Sequence, residues 1–209
     1  MVKIKICGIK NEIEAKSVCE CEYNGKKVDF IGVIFAPSKR QVDLLMAAKI
    51  SKIAHKNAIK IAGVFDSVEN AKNIAKLGFL DAIQIYEKLD NKILLNAKNA
   101  SIWQVFSVDV DCKALAKING DYDMALFDCK GAKLGGNGVS FDWEILRDVK
   151  IPFGIAGGLD ENNFQKALKF KPTLLDFNSR LEDENGQKIQ DKITVSYTHL
   201  RAHETDSYL

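Results

Sequence analysis

The chain has 209 residues, 46% of them hydrophobic and 28% charged, which are the proportions of an ordinary globular protein with length for one well-buried core. No apolar run approaches the roughly 20 residues a membrane helix needs, and a formal charge of +2 with lysines scattered along the chain excludes the basic stripe of a nucleic-acid binder. Five cysteines, an odd number, in a chain whose start MVKIKICG has no apolar export region, lead to the expectation of reduced thiols and a cytoplasmic location.

In chain order, short β-rich apolar runs alternate with amphipathic stretches, the pattern of parallel strands joined by crossover helices. The runs are VKIKI (2–6), VDFIGVIF (28–35), IKIAGVF (59–65), DAIQIY (81–86), SIWQVF (101–106), YDMALF (122–127), IPFGIA (151–156) and TLLDF (173–177). Between them, segments starting at Asn11, Gln41, Ser67, Lys88, Asp111, Phe141 and Asp160 place apolar residues at three- and four-residue spacings, as one-sided helices do. Ser67 and Asp160 are N-cap candidates, and Gly78 and Gly120 stand where helices should stop. Cys19 and Cys21 come nearest to a metal pair, but they lack the C-x-x-C spacing and have no second pair at zinc-ribbon distance, so no metal is expected.

Eight such units in this length favour an α/β fold of the (β/α)8 or TIM-barrel type over a doubly wound sheet of five or six strands. KICGIK also lacks the G-x-G-x-x-G of a dinucleotide site. Residues 1–194 are expected to form a single barrel domain. Residues 195–209, within TVSYTHLRAHETDSYL, show few apolar residues and no evident helical stripe, so they are read as a foreign or disordered tail that disrupts the last helix.

A barrel of this kind works at the C-terminal ends of its strands. The tips there supply Cys7-Gly8, Ser38-Lys39-Arg40, Asp66, Gln84 with Tyr86, Ser107, Asp128, Gly157-Gly158 and Asp176-Phe177-Asn178-Ser179-Arg180. AGGL before an expected helix start, together with Asn-Ser-Arg after the eighth strand, sits where barrels bind phosphate through backbone N–H groups. The alternative is that Gly157 and Gly158 only relieve crowding in a turn. GAKLGGNG (131–138) is too long for a simple turn and is expected to cover bound substrate. Cys7 and Asp128, on opposite sides of the mouth, are the acid–base candidates; the structural alternatives are a buried thiol for Cys7 and a helix cap or a partner to Lys130 for Asp128.

Together these segments resemble the phosphoribosylanthranilate isomerases, a (β/α)8 family of tryptophan biosynthesis. The resemblance rests on KICGI (5–9), GVIFAPSKRQV (32–42), GVF (63–65), IQIY (83–86), LFDCKGAKLGGNGVSFDW (126–143), AGGLDENN (156–163) and LLDFNSRLEDENGQKIQDK (174–192), in the family's order over about residues 3 to 192. It implies an Amadori rearrangement of N-(5-phosphoribosyl)anthranilate to 1-(2-carboxyphenylamino)-1-deoxyribulose 5-phosphate with no metal or organic cofactor. In this resemblance Cys7 is the general base, Asp128 the general acid, and Arg40 the partner of the anthranilate carboxylate. The phosphate falls to Gly157, Gly158, Ser179 and Arg180, Asp176 lies near the ribose, Gln84 joins the binding residues, and Gly136 and Asn137 belong to the turn closing over the substrate. Such chemistry requires Asp128 to hold a proton near neutral pH and Cys7 to be largely thiolate.

The chain departs from the family where QLHG is replaced by Gln84-Ile85-Tyr86-Glu87 and Ser-Ser-Gly by Asn178-Ser179-Arg180. A monomer or homodimer acting on a small phosphoribosyl molecule is expected, without nucleic-acid or membrane partners. Two other readings stay open: a related phosphate-binding barrel such as indole-glycerol-phosphate synthase, and a non-catalytic phosphosugar-binding barrel.

Overall fold

Parallel strands buried on both faces read as near-continuous apolar runs, and each of the eight runs becomes a strand in the computed structural model, which describes residues 1–91, 97, 99–108, 118, 120–129 and 141–206. The barrel strands are β1 (Lys3–Ile6), β4 (Phe30–Ile34), β5 (Lys60–Phe65), β6 (Ala82–Ile85), β7 (Ser101–Val108), β8 (Met124–Cys129), β9 (Phe153–Ala156) and β10 (Leu174–Phe177). They close in the order β1, β10, β9, β8, β7, β6, β5, β4, and β1 completes the ring by pairing with both β10 and β4. No described helix is long and apolar enough to cross a membrane.

Helices α1 (Glu12–Glu20), α2 (Leu44–Lys56), α3 (Val68–Ala75), α4 (Phe164–Leu168) and α5 (Gln190–Asp206) pack outside. Side-chain caps start three of them. Asn11 accepts from the Glu14 N–H at 2.9 Å, Asp43 from Met46 at 2.7 Å and Ser67 from Asn70 at 3.3 Å. Small buried residues such as Ala15, Ala47, Ala54 and Ala71 let these helices lie close against the strands.

Several local expectations need correction. Asp160 opens a turn instead of capping a helix, and α4 begins only after Asn163. The segment from Phe141 forms a short 3-10 turn, Trp143–Leu146, because Asp142 caps it and no apolar stripe of useful length follows. A small hairpin, β2 (Glu22–Tyr23) and β3 (Lys26–Lys27), was not foreseen, although Asn24-Gly25 with φ of 51° and 73° is the two-residue turn such hairpins prefer. The expected helices from Lys88 and Asp111 lie largely outside the described residues.

The disrupted last helix is also corrected, because α5 runs through to Asp206. Ile193, Tyr197 and Leu200 stand four and three residues apart and are all buried, a stripe that the surrounding polar residues conceal. Arg201 fastens the helix to the foot of the barrel, donating to the Val2 carbonyl and to Asp29 at 3.0 Å each.

At that foot an aspartate precedes three alternate strands. Asp29, Asp81 and Asp123 each accept the N–H of an isoleucine on the neighbouring strand, Ile4, Ile61 and Ile102, at 2.8 Å. Each also donates its own N–H to that isoleucine's carbonyl. Inside the barrel, Phe30, Trp103, Met124, Leu126 and Leu174 fill the lower layers, with Phe30 and Trp103 edge-to-face at 4.9 Å.

Candidate active site

Strand alternation places every second residue inside the barrel, so the polar members of β1, β6, β8 and β10 meet at the mouth. Cys7 follows β1, Asp128 is the next-to-last residue of β8, and Tyr86 follows β6. These three share one pocket with Arg40, Gln84, Gly157, Gly158, Asp176, Asn178, Ser179 and Arg180. The structure thus brings together every residue to which the resemblance gives a role except Gly136 and Asn137, which lie outside the described residues, as does the rest of GAKLGGNG; of the other strand-tip residues, Lys39, Asp66 and Ser107 do not line this pocket.

Below Cys7 is a buried polar layer. The Lys5 ammonium donates to Asp176 Oδ2 and to Gln84 Oε1, both at 2.7 Å, and Lys5 is wholly buried. Gly32 makes room for this arrangement, since a Cβ there would stand 2.7 Å from Lys5 Cε and 2.8 Å from Cys7 Sγ. Asp176 Oδ1 is buried and has no hydrogen-bond partner among the described residues. An acceptor left open on the pocket wall suits a hydroxyl brought by a ligand.

The acid side is built differently. Tyr86 donates its hydroxyl to Asp128 Oδ2 at 2.7 Å. Burial pushes the Asp128 carboxyl up to about 6, against the Tyr86 hydrogen bond and the Lys5 charge, which pull it down. Burial likewise raises the Cys7 thiol, with Lys5 and Lys188 pulling the other way. Desolvation is the larger of these opposing effects on the thiol. Burial opposes the charged form of Lys5, yet Asp176 and the thiol outweigh it and raise this lysine.

Arg40 reaches the mouth but spends part of its fork within the protein. Its Nε and Nη2 meet the two oxygens of Glu182 at 2.6 Å. Lys188, almost fully buried, joins them through Glu182 Oε1 at 2.8 Å and grips the Asn178 carbonyl and side-chain oxygens at 3.0 and 2.9 Å. Burial works against the Glu182 charge, but Arg40 and Lys188 together hold its carboxyl below the usual range. Gly8, with φ of +79°, allows this cluster to close, because a Cβ would stand 2.7 Å from both Arg40 Cδ and Asn178 Oδ1.

The anion side combines Gly157 and Gly158, both with positive φ, and the 3-10 turn Ser179–Leu181. Among the described residues the N–H groups of Gly158 and Ser179 donate to no backbone carbonyl. Arg180 is exposed at the rim of the same pocket. The helix expected to start directly after AGGL begins five residues later, so its N-terminus does not adjoin the glycines.

A family model described as N-(5′-phosphoribosyl)anthranilate (PRA) isomerase matches residues 4–197. The chain belongs to the PRA isomerase family. A curated PRA isomerase of Campylobacter jejuni is 40% identical over 205 residues, covering 96% of this chain and all of that one. The tryptophan biosynthesis protein TrpCF of Helicobacter pylori is 42% identical over 196 residues, which are 90% of this chain and 42% of that longer protein. Among solved structures, the PRA isomerase of Thermotoga maritima superposes with a TM-score of 0.76 at 26% identity over 97% of this chain and all of that one. A PRA isomerase crystallised with reduced 1-(o-carboxyphenylamino)-1-deoxyribulose 5-phosphate shares the fold, with a TM-score of 0.72 at 24% identity over 97% of this chain and all of that one.

Lys5, Glu182 and Lys188 of this PRA isomerase family member escaped the sequence reading. Lys5 stands inside an apolar run, where alternation could have flagged an inward lysine needing a partner. Glu182 and Lys188 lie in a polar loop, EDENGQK, and nothing local sets them apart from solvated charges.

Proposed function

We propose that this chain catalyses the PRA isomerase reaction, the rearrangement of N-(5-phosphoribosyl)anthranilate to 1-(2-carboxyphenylamino)-1-deoxyribulose 5-phosphate, with Asp128 as acid and Cys7 as base. The observation that carries the assignment is the convergence of a buried thiol and a carboxyl raised to about 6 on one pocket. Asp128 gives its proton to the furanose ring oxygen as the ring opens to a Schiff base. Cys7 then removes the C2′ proton, and the resulting enamine settles as the ketone.

The remaining residues divide the substrate between them. Gly157, Gly158, Ser179 and Arg180 receive the phosphate, and the open oxygen of Asp176 accepts a ribose hydroxyl. Arg40 receives the anthranilate carboxylate with donors beyond the two held by Glu182, since a guanidinium carries five. The Lys5 ammonium stabilises the thiolate when Cys7 ionises.

Cys7→Ala and Asp128→Asn are each expected to lower turnover by about 10²-fold or more, measured by the fluorescence loss of phosphoribosylanthranilate, while binding of a product analogue persists. Near-normal turnover in either variant would remove that residue from the mechanism. Binding without turnover in the unaltered protein would favour a non-catalytic phosphosugar-binding barrel.

A further inference from the structure

Tyr86 stands between the two candidate catalytic groups. Its hydroxyl is 2.7 Å from Asp128 Oδ2, and its ring packs on the mouth cluster formed by Cys7, Ile34, Ala36 and Val64. The ring packs also on the interior cluster that includes Leu126 and Ala156, while its hydroxyl is committed to Asp128. On its other side Asp128 Oδ1 lies against Gly157, where an added Cβ would stand 2.8 Å from it.

Resting on the assignment of Asp128 as the acid, we propose that Tyr86 is a positioning residue for it: the phenol fixes one carboxyl oxygen and leaves the other to face the ring oxygen of the substrate. A phenol donating to a carboxylate stabilises the form left after proton transfer, and so makes the buried carboxyl a better donor than burial alone would. The titratable groups facing the pair are Cys7 and Lys5 from β1, Asp176 from β10 and Cys129 beside Asp128 itself. Of these, Lys5 acts in the same direction as Tyr86, and Asp176 opposes both.

The test is the single-turnover rate against pH for Tyr86→Phe, Asp128→Asn and the double variant. Tyr86→Phe keeps the ring and its packing, so circular dichroism should be unchanged. Its plateau rate is expected to fall about ten- to hundredfold, as the loss of a hydrogen bond to a charged group does. The limb of the profile set by Asp128 should move to higher pH, because the carboxyl loses the donor that held it down. In the Asp128→Asn background the same change should cost nothing further, since Tyr86 acts only through that carboxyl.

A limb that stays in place, or losses that multiply in the double variant, would overturn the positioning role while leaving the acid assignment intact. Near-normal turnover in Asp128→Asn alone would overturn both.

Discussion

At Gly157 the backbone and the acid compete for the same space. The residue has φ of +84°, which a side chain rarely adopts, and a Cβ there would stand 2.8 Å from both Asp128 Oδ1 and the Cys129 backbone nitrogen. The two readings of this glycine from sequence, phosphate contact and relief of crowding, are therefore not exclusive, since the crowding it relieves is that of the Asp128 carboxyl on the same pocket wall. Gly157→Ala is expected to displace Asp128 and lower the single-turnover rate by on the order of 10²-fold, as ångström-scale misplacement of a reacting group does. Backbone strain should add about 1–2 kcal/mol of destabilisation, read from urea denaturation. A full rate with only reduced stability would show that Asp128 keeps its place without the glycine. Gly8 illustrates the same economy, but the crowding atoms there belong to Arg40 and Asn178.

The strands were legible because their pattern is a local property, whereas the groups that join one strand to the next were not. Burial on both faces makes runs such as IKIAGVF stand out in any window of the chain. Asp29, Asp81 and Asp123 each look like an ordinary turn residue before a strand, and their shared role becomes visible only once the neighbouring strand is in register. Asp81→Ala should leave the fully buried Ile61 N–H without its acceptor, a loss of about 1–3 kcal/mol. The urea midpoint is expected to fall while turnover stays normal, because Asp81 lies at the opposite end of β6 from Tyr86. Unchanged stability would mean that solvent replaces the carboxylate. Helix α5 shows the converse error: Ile193, Tyr197 and Leu200 carry the correct period, but Ser196, Thr198 and His199 dilute it below what composition suggests. At the mouth, motif residues such as Cys7, Asp128 and the two glycines could be named from sequence. Lys5 and Tyr86 gain their roles from partners 79 or 171 and 42 residues away, which only barrel closure brings together, whereas Lys188 meets Glu182 and Asn178, 6 to 10 residues away, in a loop whose burial the local sequence does not show.

Taken as a whole, the molecule stores its functional groups in a place that works against folding. Lys5, Asp128 and Asp176 are all nearly or fully buried inside the barrel, where charge is costly unless paired. Lys5 and Asp176 offset one another at 2.7 Å, but among the described residues Asp128 is held by neutral donors, the Tyr86 hydroxyl and the Cys129 N–H. Its folded value of about 6 lies above the ordinary 3.8, so the native state binds this proton more tightly than the unfolded chain does. The stabilisation from that proton is fully present below the unfolded value and is lost as pH rises through about 6. Above that pH the ionised, buried carboxylate costs on the order of 3 kcal/mol, from the size of the shift. Asp128→Asn removes the charge and keeps an oxygen able to accept from Tyr86. The variant is therefore expected to be more stable than the unaltered protein at pH 8, by up to about 3 kcal/mol, while its catalysis is lost. The difference in urea-unfolding free energy should narrow as the pH is lowered toward 5, because protonation makes the two side chains electrostatically alike. A gap that is constant with pH would mean that packing, not ionisation, separates them, and a destabilised variant at pH 8 would mean that the donors and charge around the carboxylate offset its burial.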